Sequence, residues 1–319
     1  MSPLHDSIKI PVIAVLGPTA SGKTALAIAL AKRFDGEIIS CDSMQIYQGM
    51  DIATAKPSAK ELAEAKHHLI GFLSPEQSFS AAEYVRMASE CIADIYKRGK
   101  TVFLCGGTGL YADALLSGMQ FPDAPDADQH RAEILAFYQE NGAAALLKRL
   151  EKADPAAAAQ IDCNNIKRVL RAVEICESSG LPLSVYQAQN IPPDSPYRTL
   201  RLVLDFQNRE NLYARINARV DQMVQAGLFA EAEIYFSAAN SKTAAQAIGY
   251  KELKPYFDGE ISKDEAIAHL KQATRRYAKR QQTWLRREQN VCRLYVDGED
   301  ILEKAVAVCE KFQKGETGY

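Results

Sequence analysis

The segment Gly17-Pro18-Thr19-Ala20-Ser21-Gly22-Lys23-Thr24 constrains this chain more than any other. It matches the pattern G-x-x-x-x-G-K-[S/T] in the setting that pattern needs. Ile10–Leu16 before it reads as a buried strand, and 22–34 after it reads as a helix rich in Ala and Leu. Backbone N–H groups of such a loop, with the positive end of the helix dipole, make an anion cradle. Lys23 can reach an outer phosphate, and the Thr24 hydroxyl can hold Mg²⁺. The motif specifies a diphosphate or a triphosphate. It does not specify ATP, so nucleotide binding is expected at the level of the motif alone.

Further strands and helices alternate after the loop. Glu37–Cys41 reads as a second strand ending at Asp42, Ser80–Arg98 as a helix, and Thr101–Cys105 as a third strand running into Gly106-Gly107-Thr108-Gly109. This alternation predicts an α/β fold, a P-loop NTPase-like parallel sheet flanked by helices. The pattern changes after about residue 118. Pro122, Pro125 and several acids mark a boundary, and an Ala-rich helical stretch follows to about Tyr186. Pro192, Pro193 and Pro196 mark its exit, and Thr199–Leu204 returns as a strand. The remainder is mainly helical, with a short strand at 291–296. The expected organisation is a core of 1–118 and 197–319, with an all-helical insertion at 119–196.

Bulk properties narrow the function classes. A net charge of −2 over 319 residues leaves a nucleic-acid surface only as a local patch. The seven cysteines are odd in number and include no C-x-x-C pair, which suggests neither a disulfide frame nor a zinc site. Small buried apolar residues in a reducing cytoplasm are expected instead. Ile8–Leu16 is interrupted by Lys9 and Pro11 and suits a strand better than a secretory segment. No apolar run approaches the ~20 residues of a membrane span. A cytoplasmic monomer without membrane association is expected.

Asp42-Ser43-Met44-Gln45 follows the second strand. Ligands of open α/β sheets sit outside the carboxyl ends of the strands, so Asp42 is expected near the phosphate loop. A carboxylate there can accept a proton or position a metal, while Ser43 and Gln45 suit a base edge. An Asp that opens a turn is the equal alternative. The glycines at 106, 107 and 109 allow close backbone approach, with Thr108 free to touch a phosphate or a nucleotide; a tight strand-to-helix turn remains the other reading. No acid ends this third strand, unlike motor and switch proteins that hold metal there. His67 and His68 are adjacent and point different ways, so a packing or substrate-loop role is expected rather than a metal pair. The same holds for Thr54-Ala55-Lys56-Pro57.

Ser262–Arg287 reads as one long helix. Its 271–287 stretch holds Lys271, Arg275, Arg276, Lys279, Arg280, Arg286 and Arg287 without a single acid. At about 100° per residue these fall on one half of the helix. Ile267, Leu270, Thr274, Tyr277, Gln281, Trp284 and Leu285 fall on the other side. Such a stripe suits nucleic acid, although some cations can point at the diphosphate instead. Lys167, Arg168 and Arg171 form a second cluster in the insertion, with salt bridges to Glu174 as the alternative.

Together these strings resemble the bacterial tRNA dimethylallyltransferases, also called tRNA isopentenyltransferases. The resemblance runs from about Ile10 to Arg287. It takes in Gly17–Thr24, Asp42–Tyr47, Asp51–Pro57, His67–Leu69, Gly106–Tyr111, Lys167–Arg171, Ala247–Glu252 and Arg275–Arg286. It implies transfer of a dimethylallyl group from its diphosphate to N6 of the adenosine at tRNA position 37, with Mg²⁺ and with loss of diphosphate. Gly17, Pro18, Thr19, Ala20, Ser21, Gly22, Lys23 and Thr24 would then grip the diphosphate of the donor. Asp42 would be the base, with Arg219 as an additional cation. The implied tRNA contacts are Asp42, Ser43, Met44 and Gln45, with Thr108 beside them. Arg131, Lys167, Arg168, Val169, Leu170 and Arg171 would contribute from the insertion. Ala247, Ile248, Gly249, Tyr250, Lys251 and Glu252 would contribute from the core, as would Lys279, Arg280, Gln281, Thr283, Trp284 and Arg286 of the basic helix. Ala53 departs from the Gly frequent in the family, and the zinc-finger residues of eukaryotic relatives are absent. A P-loop small-molecule kinase, of the nucleotide or shikimate type, explains the loop but not the stripe. A non-enzymatic RNA-binding protein explains the stripe but not the loop.

Overall fold

A computed structural model of the chain describes residues 9–121, 127–192, 194–237, 244–298 and 300–316. Ile8, Pro122, Pro125 and Pro193, used above as markers, lie outside the described residues. The described residues form two compact units, 1–116 with 196–319 and 117–195.

The first unit starts with β1 (Ile10–Leu16), α1 (Lys23–Arg33) and β2 (Gly36–Cys41). α2 (Ala59–Glu64), β3 (His67–His68), α3 (Ala81–Lys97), β4 (Thr101–Gly106) and α4 (Gly109–Leu116) follow. The second unit is helical: α5 (Ala127–Ala153, broken at Gly142), α6 (Pro155–Gln160), α7 (Ile166–Ser179) and α8 (Leu183–Asn190). The chain returns through β5 (Tyr197–Asp205), α9 (Arg209–Gln225), α10 (Leu228–Ser237) and α11 (Tyr250–Phe257). It ends with α12 (Lys263–Leu285), β6 (Val291–Tyr295) and α13 (Ile301–Gln313).

All six strands are parallel, in the order β3-β2-β4-β1-β5-β6. The expected α/β sheet is therefore present, and its strand composition explains it. A parallel sheet is buried on both faces, which suits continuous β-branched and apolar runs. Val12, Ala14 and Leu16 of β1 join one core with Ile39, Val102 and Leu104. Ile13 and Val15 join the opposite core with Leu26, Leu30, Ile38 and Phe103. The first core is closed by α3, α4, α11 and α12, the second by α1 and α13. Capping boxes start α2, α3 and α12: Ser58 with Glu61, Ser80 with Glu83, and Ser262 with Glu265.

β3 is a two-residue edge strand that the sequence pattern does not announce. Its histidines do point apart. His67 Nδ1 lies 2.8 Å from Ala65 O, while His68 Nε2 donates to Glu37 Oε2 at 2.7 Å. Glu37 is buried and also takes a bidentate contact from Arg98, which ties β2 to the end of α3.

In the helical unit, Leu146, Leu150, Val169, Ala172 and Val173 form the core. Buried Asp154 caps α6 through the Ala157 N–H and holds the Leu183 N–H at 2.8 Å. Among the described residues no helix is long and apolar enough to cross a membrane.

Candidate active site

Three strand ends build the site. The phosphate loop spans the end of β1 and the start of α1. Lys23, Thr24 and Ala25 open α1, and their N–H groups have no acceptor among the described residues, as the first turn of a helix dictates. Lys23 is half-buried, and its Nζ donates to Pro18 O at 3.3 Å. Burial lowers its pKa below the usual lysine value; the like charge of Arg219 adds to this, and Cys105 and Asp42 oppose it. An ammonium held in this way gains from an anion in the loop.

Asp42 follows β2. Its Oδ1 accepts from the N–H groups of Met44 at 2.9 Å and Gln45 at 3.4 Å. The turn reading of Asp42 is thus observed, in a residue that also lines the cavity described below. One oxygen shapes the turn, and Oδ2 has no hydrogen-bond partner among the described residues. The Gly106 loop packs on this turn. A Cβ at Gly106 would lie 2.0 Å from Cys41 O, so only glycine fits there. Thr108 N–H donates to Cys41 O at 3.1 Å, and Thr108 Oγ1 accepts from Ser43 N–H at 3.0 Å.

One cavity of about 550 Å³ unites these parts. Lys23, Thr24 and Asp42 line it together with Arg219 of α9 and Arg280 of α12. Arg219 has no hydrogen-bond or ion-pair partner among the described residues. Burial pulls its pKa down, opposed by the charges of Asp42 and Glu61. Ser43, Met44, Gln45, Ile248, Gly249 and Lys251 also line the cavity, so three separated sequence strings converge there. Thr54–Pro57 completes one wall. That loop is held by Glu231, whose carboxylate accepts from the N–H groups of Asp51, Ile52 and Ala53 and from the Tyr250 hydroxyl. A second, water-sized cavity of about 10 Å³ touches Lys23, Thr24, Asp42 and His67.

Several expected RNA contacts are buried or bonded to protein. Val169 and Tyr250 are 1% exposed and belong to the cores, because helix periodicity turns them inward, while Ala247, in the loop before α11, is equally buried and touches the cavity. Leu170 packs partly against the helical unit's core. Gln281 is 5% exposed and bonds backbone at both ends of its amide. Trp284 is half-buried and donates Nε1–H to Asp113 at 2.8 Å, while Glu252 caps α11 through the Gly249 N–H. The cationic stripe is also narrower than its sequence. Lys271 pairs with Asp221 at 2.6 Å and Arg275 donates to Asn217 at 2.7 Å, because α9 packs along that edge. Arg276, Lys279, Arg280, Thr283, Arg286 and Arg287 are exposed. Arg280 also lies over the Tyr277 ring, 5.5 Å from its centroid. In the helical unit Arg131 and Arg171 both pair with buried Glu174, at 2.9 and 2.7 Å, whereas Lys167 and Arg168 are exposed.

Two site residues were not singled out from the sequence. Arg215 donates Nε–H to Ala20 O at 2.9 Å and so braces the phosphate loop from outside. Tyr277 lines the cavity and is hydrogen-bonded to Thr108; burial raises its pKa, and Asp42 adds to that. Arg215 stands four residues before Arg219, a helical spacing that could have flagged it.

Magnesium fits the donor set. The Thr24 hydroxyl and the Asp42 carboxylate are oxygens at one cavity, as a hard cation prefers. No group of three or more His, Cys, Asp or Glu that could hold a metal occurs among the described residues. A metal held by a threonine and by the ligand's own phosphates needs none.

The chain is 45% identical to the tRNA dimethylallyltransferase of Roseiflexus sp. (strain RS-1) over 95% of its own length and 99% of that protein's. It is 47% identical to the tRNA dimethylallyltransferase of Geobacillus kaustophilus (strain HTA426), covering 88% of this chain and 89% of that one. The crystal structure of a full-length tRNA isopentenylpyrophosphate transferase from Bacillus halodurans superposes with a TM-score of 0.69 at 42% identity, covering 96% of both chains. A eukaryotic dimethylallyltransferase acting on tRNA, at 26% identity, superposes with a TM-score of 0.83 over 96% of this chain and 80% of that one. The IPP transferase family model spans residues 45–288, from the turn beside Asp42 to the end of the basic helix. A phosphate loop, the Asp42 turn and the cationic helix around one cavity, with relatives this similar over almost the whole chain, place the protein in the IPP transferase family.

Proposed function

We propose that this chain transfers a dimethylallyl group from dimethylallyl diphosphate to N6 of adenosine 37 of tRNA, releasing diphosphate. One observation carries the reading: a single cavity is lined by Lys23, Thr24 and Arg219 and also by Asp42. Cations and an open carboxylate are what a prenyl transfer to an amine needs. The loop N–H groups, Lys23 and Arg219 bind the donor's diphosphate. The adenine leaves its stack to reach the donor. Its N6 lone pair forms a bond to C1 of the dimethylallyl group as the C1–O bond breaks. The bonding electrons pass to the diphosphate oxygen, where Lys23, Arg219 and the N–H groups stabilise the growing charge. The N6 proton goes to Asp42 Oδ2, within a carboxylate whose other oxygen is fixed by the Met44 and Gln45 amides. Mg²⁺, held by Thr24 with the donor's phosphates, would neutralise further charge on the leaving group.

Arg276, Lys279, Arg280 and Arg286 on α12 would meet the RNA backbone, with Ser43 facing a base; the Gln45 amide instead holds the cavity wall, accepting from the Ser40 hydroxyl and donating to Ala55 O at 3.1 Å. Lys167, Arg168 and Arg171 of the helical unit would give that unit an RNA surface of its own. A kinase reading explains neither set of cations. The proposal includes a cytoplasmic monomer, the cytoplasm being where tRNA is available.

The test uses radiolabelled dimethylallyl diphosphate, tRNA and Mg²⁺. Labelled N6-modified adenosine is expected. Asp42→Ala should abolish transfer while tRNA affinity stays within about twofold, since proton acceptance matters in the transition state rather than in binding. Wild-type turnover in that variant would rule out Asp42 as the base.

A further inference from the structure

α12 does more than display cations, because its buried side carries Gln281 against the phosphate loop. Gln281 Oε1 accepts from Thr19 N–H at 2.9 Å, and Gln281 Nε2 donates to Gly107 O at 2.9 Å. One side chain thus joins the loop after β1 to the loop after β4. The fit is close: a Cβ at Gly107 would stand 2.2 Å from Gln281 Nε2. One turn earlier on α12, Ala278 is fully buried against Ala20 of the loop, together with Phe206, Leu212 and Ile216. Arg215 holds Ala20 O from α9.

Gln281 and Thr19 meet at the wall of the cavity that Lys23, Thr24 and Asp42 also line. The Lys23, Thr24 and Ala25 amides stay open toward the cavity. A phosphate loop gains affinity when its N–H groups are aimed before the ligand arrives, because the ordering cost is met in folding. Thr19 N–H has no other partner among the described residues, so without Gln281 that amide loses its anchor and only the Ala20 end of the segment stays braced, by Arg215 and Ala278. The amide's two polar ends match one donor and one acceptor of the backbone, which no apolar residue could do.

We propose that Gln281 is a positioning residue for the phosphate loop, fixing its anion-binding shape through Thr19 and Gly107, and that it does not contact RNA. The proposal rests on the loop being the donor's diphosphate site, and it deepens that reading.

Gln281→Met keeps the size and loses both hydrogen bonds. It should weaken calorimetric binding of inorganic diphosphate and raise the donor KM, each about tenfold, the equivalent of about 1.4 kcal/mol. kcat should change by less than about threefold, and tRNA affinity with its salt slope should not move. In the wild-type chain, hydrogen exchange should find the Thr19 amide protected without ligand. A variant that loses tRNA affinity while binding diphosphate normally would overturn the proposal. So would unchanged diphosphate binding and donor KM, or fast exchange at Thr19 in the unliganded wild-type chain. Failure of the wild-type chain itself to bind inorganic diphosphate would sink the donor-site reading instead.

Discussion

Replacing Arg219 with Met should make the protein more stable and less active. The guanidinium lines the cavity with no hydrogen-bond or ion-pair partner among the described residues, and burial lowers its pKa. A desolvated, unpaired charge costs folding free energy. Met fills much of the same volume without that cost, so a gain of about 1 kcal/mol, or about 1–2 °C in Tm, is expected for a chain of 319 residues. The donor loses a partner. A hydrogen bond to a charged group is worth about 1.5–3 kcal/mol. At tenfold per about 1.4 kcal/mol, kcat/KM for dimethylallyl diphosphate should fall about 10- to 100-fold. The assay is a donor titration at saturating tRNA, paired with thermal denaturation of the unliganded chain. tRNA affinity should hold. A wild-type donor kcat/KM would refute a diphosphate role. A Tm lowered by several degrees would show that Arg219 is a structural strut and not a group held ready for a ligand.

Glu37 gives a pH prediction. Hydrogen bonds from Arg98, then from His68 and Lys66, hold its carboxyl at about 2, against an ordinary value of 4.5. A depressed carboxyl stabilises the fold above its unfolded value, and this stability is lost as pH falls from about 4.5 to about 2. At about 1.4 kcal/mol per pH unit the contribution is at most about 3 kcal/mol. Glu37→Gln should therefore lower the melting temperature at neutral pH and converge on wild type in acid; a gap independent of pH would refute this. Joint replacement of Arg280 and Arg286 by Gln should weaken tRNA binding and reduce the slope of log affinity against log salt by about 0.7 per lost phosphate contact. An unchanged slope would exclude α12 as the RNA surface.

The sheet was legible because its strands are apolar runs between turn signals. β1 leads into the glycines of the phosphate loop, β4 into Gly106, and β5 follows Pro196, so composition and punctuation agree. β3 was not legible. Two histidines carry no periodicity, and their strand exists because Ile38 and Ile39 of β2 offer an edge to pair with. α12 was readable as an amphipathic helix, but which of its cations stay exposed was not. Asp221 and Asn217, which engage Lys271 and Arg275, lie on another helix some fifty residues earlier, beyond the reach of helical periodicity.

Gln281 marks the limit of reading a site from residue types. Its place on the apolar side of α12 follows from the 3.6-residue repeat, and its amide suits a base edge as well as a backbone. Choosing between those partners requires knowing that Thr19 N–H and Gly107 O stand 2.9 Å away on either side. Neither group is visible as a side chain, so no pattern of residue types could point to them. The residues legible as chemistry were those whose charge has few other uses near a phosphate loop, such as Lys23. Asp42 was half-legible, because one carboxylate both caps the Met44 turn and faces the cavity. Neutral polar side chains, which bind backbone and base alike, are where a motif stops and a structure has to begin.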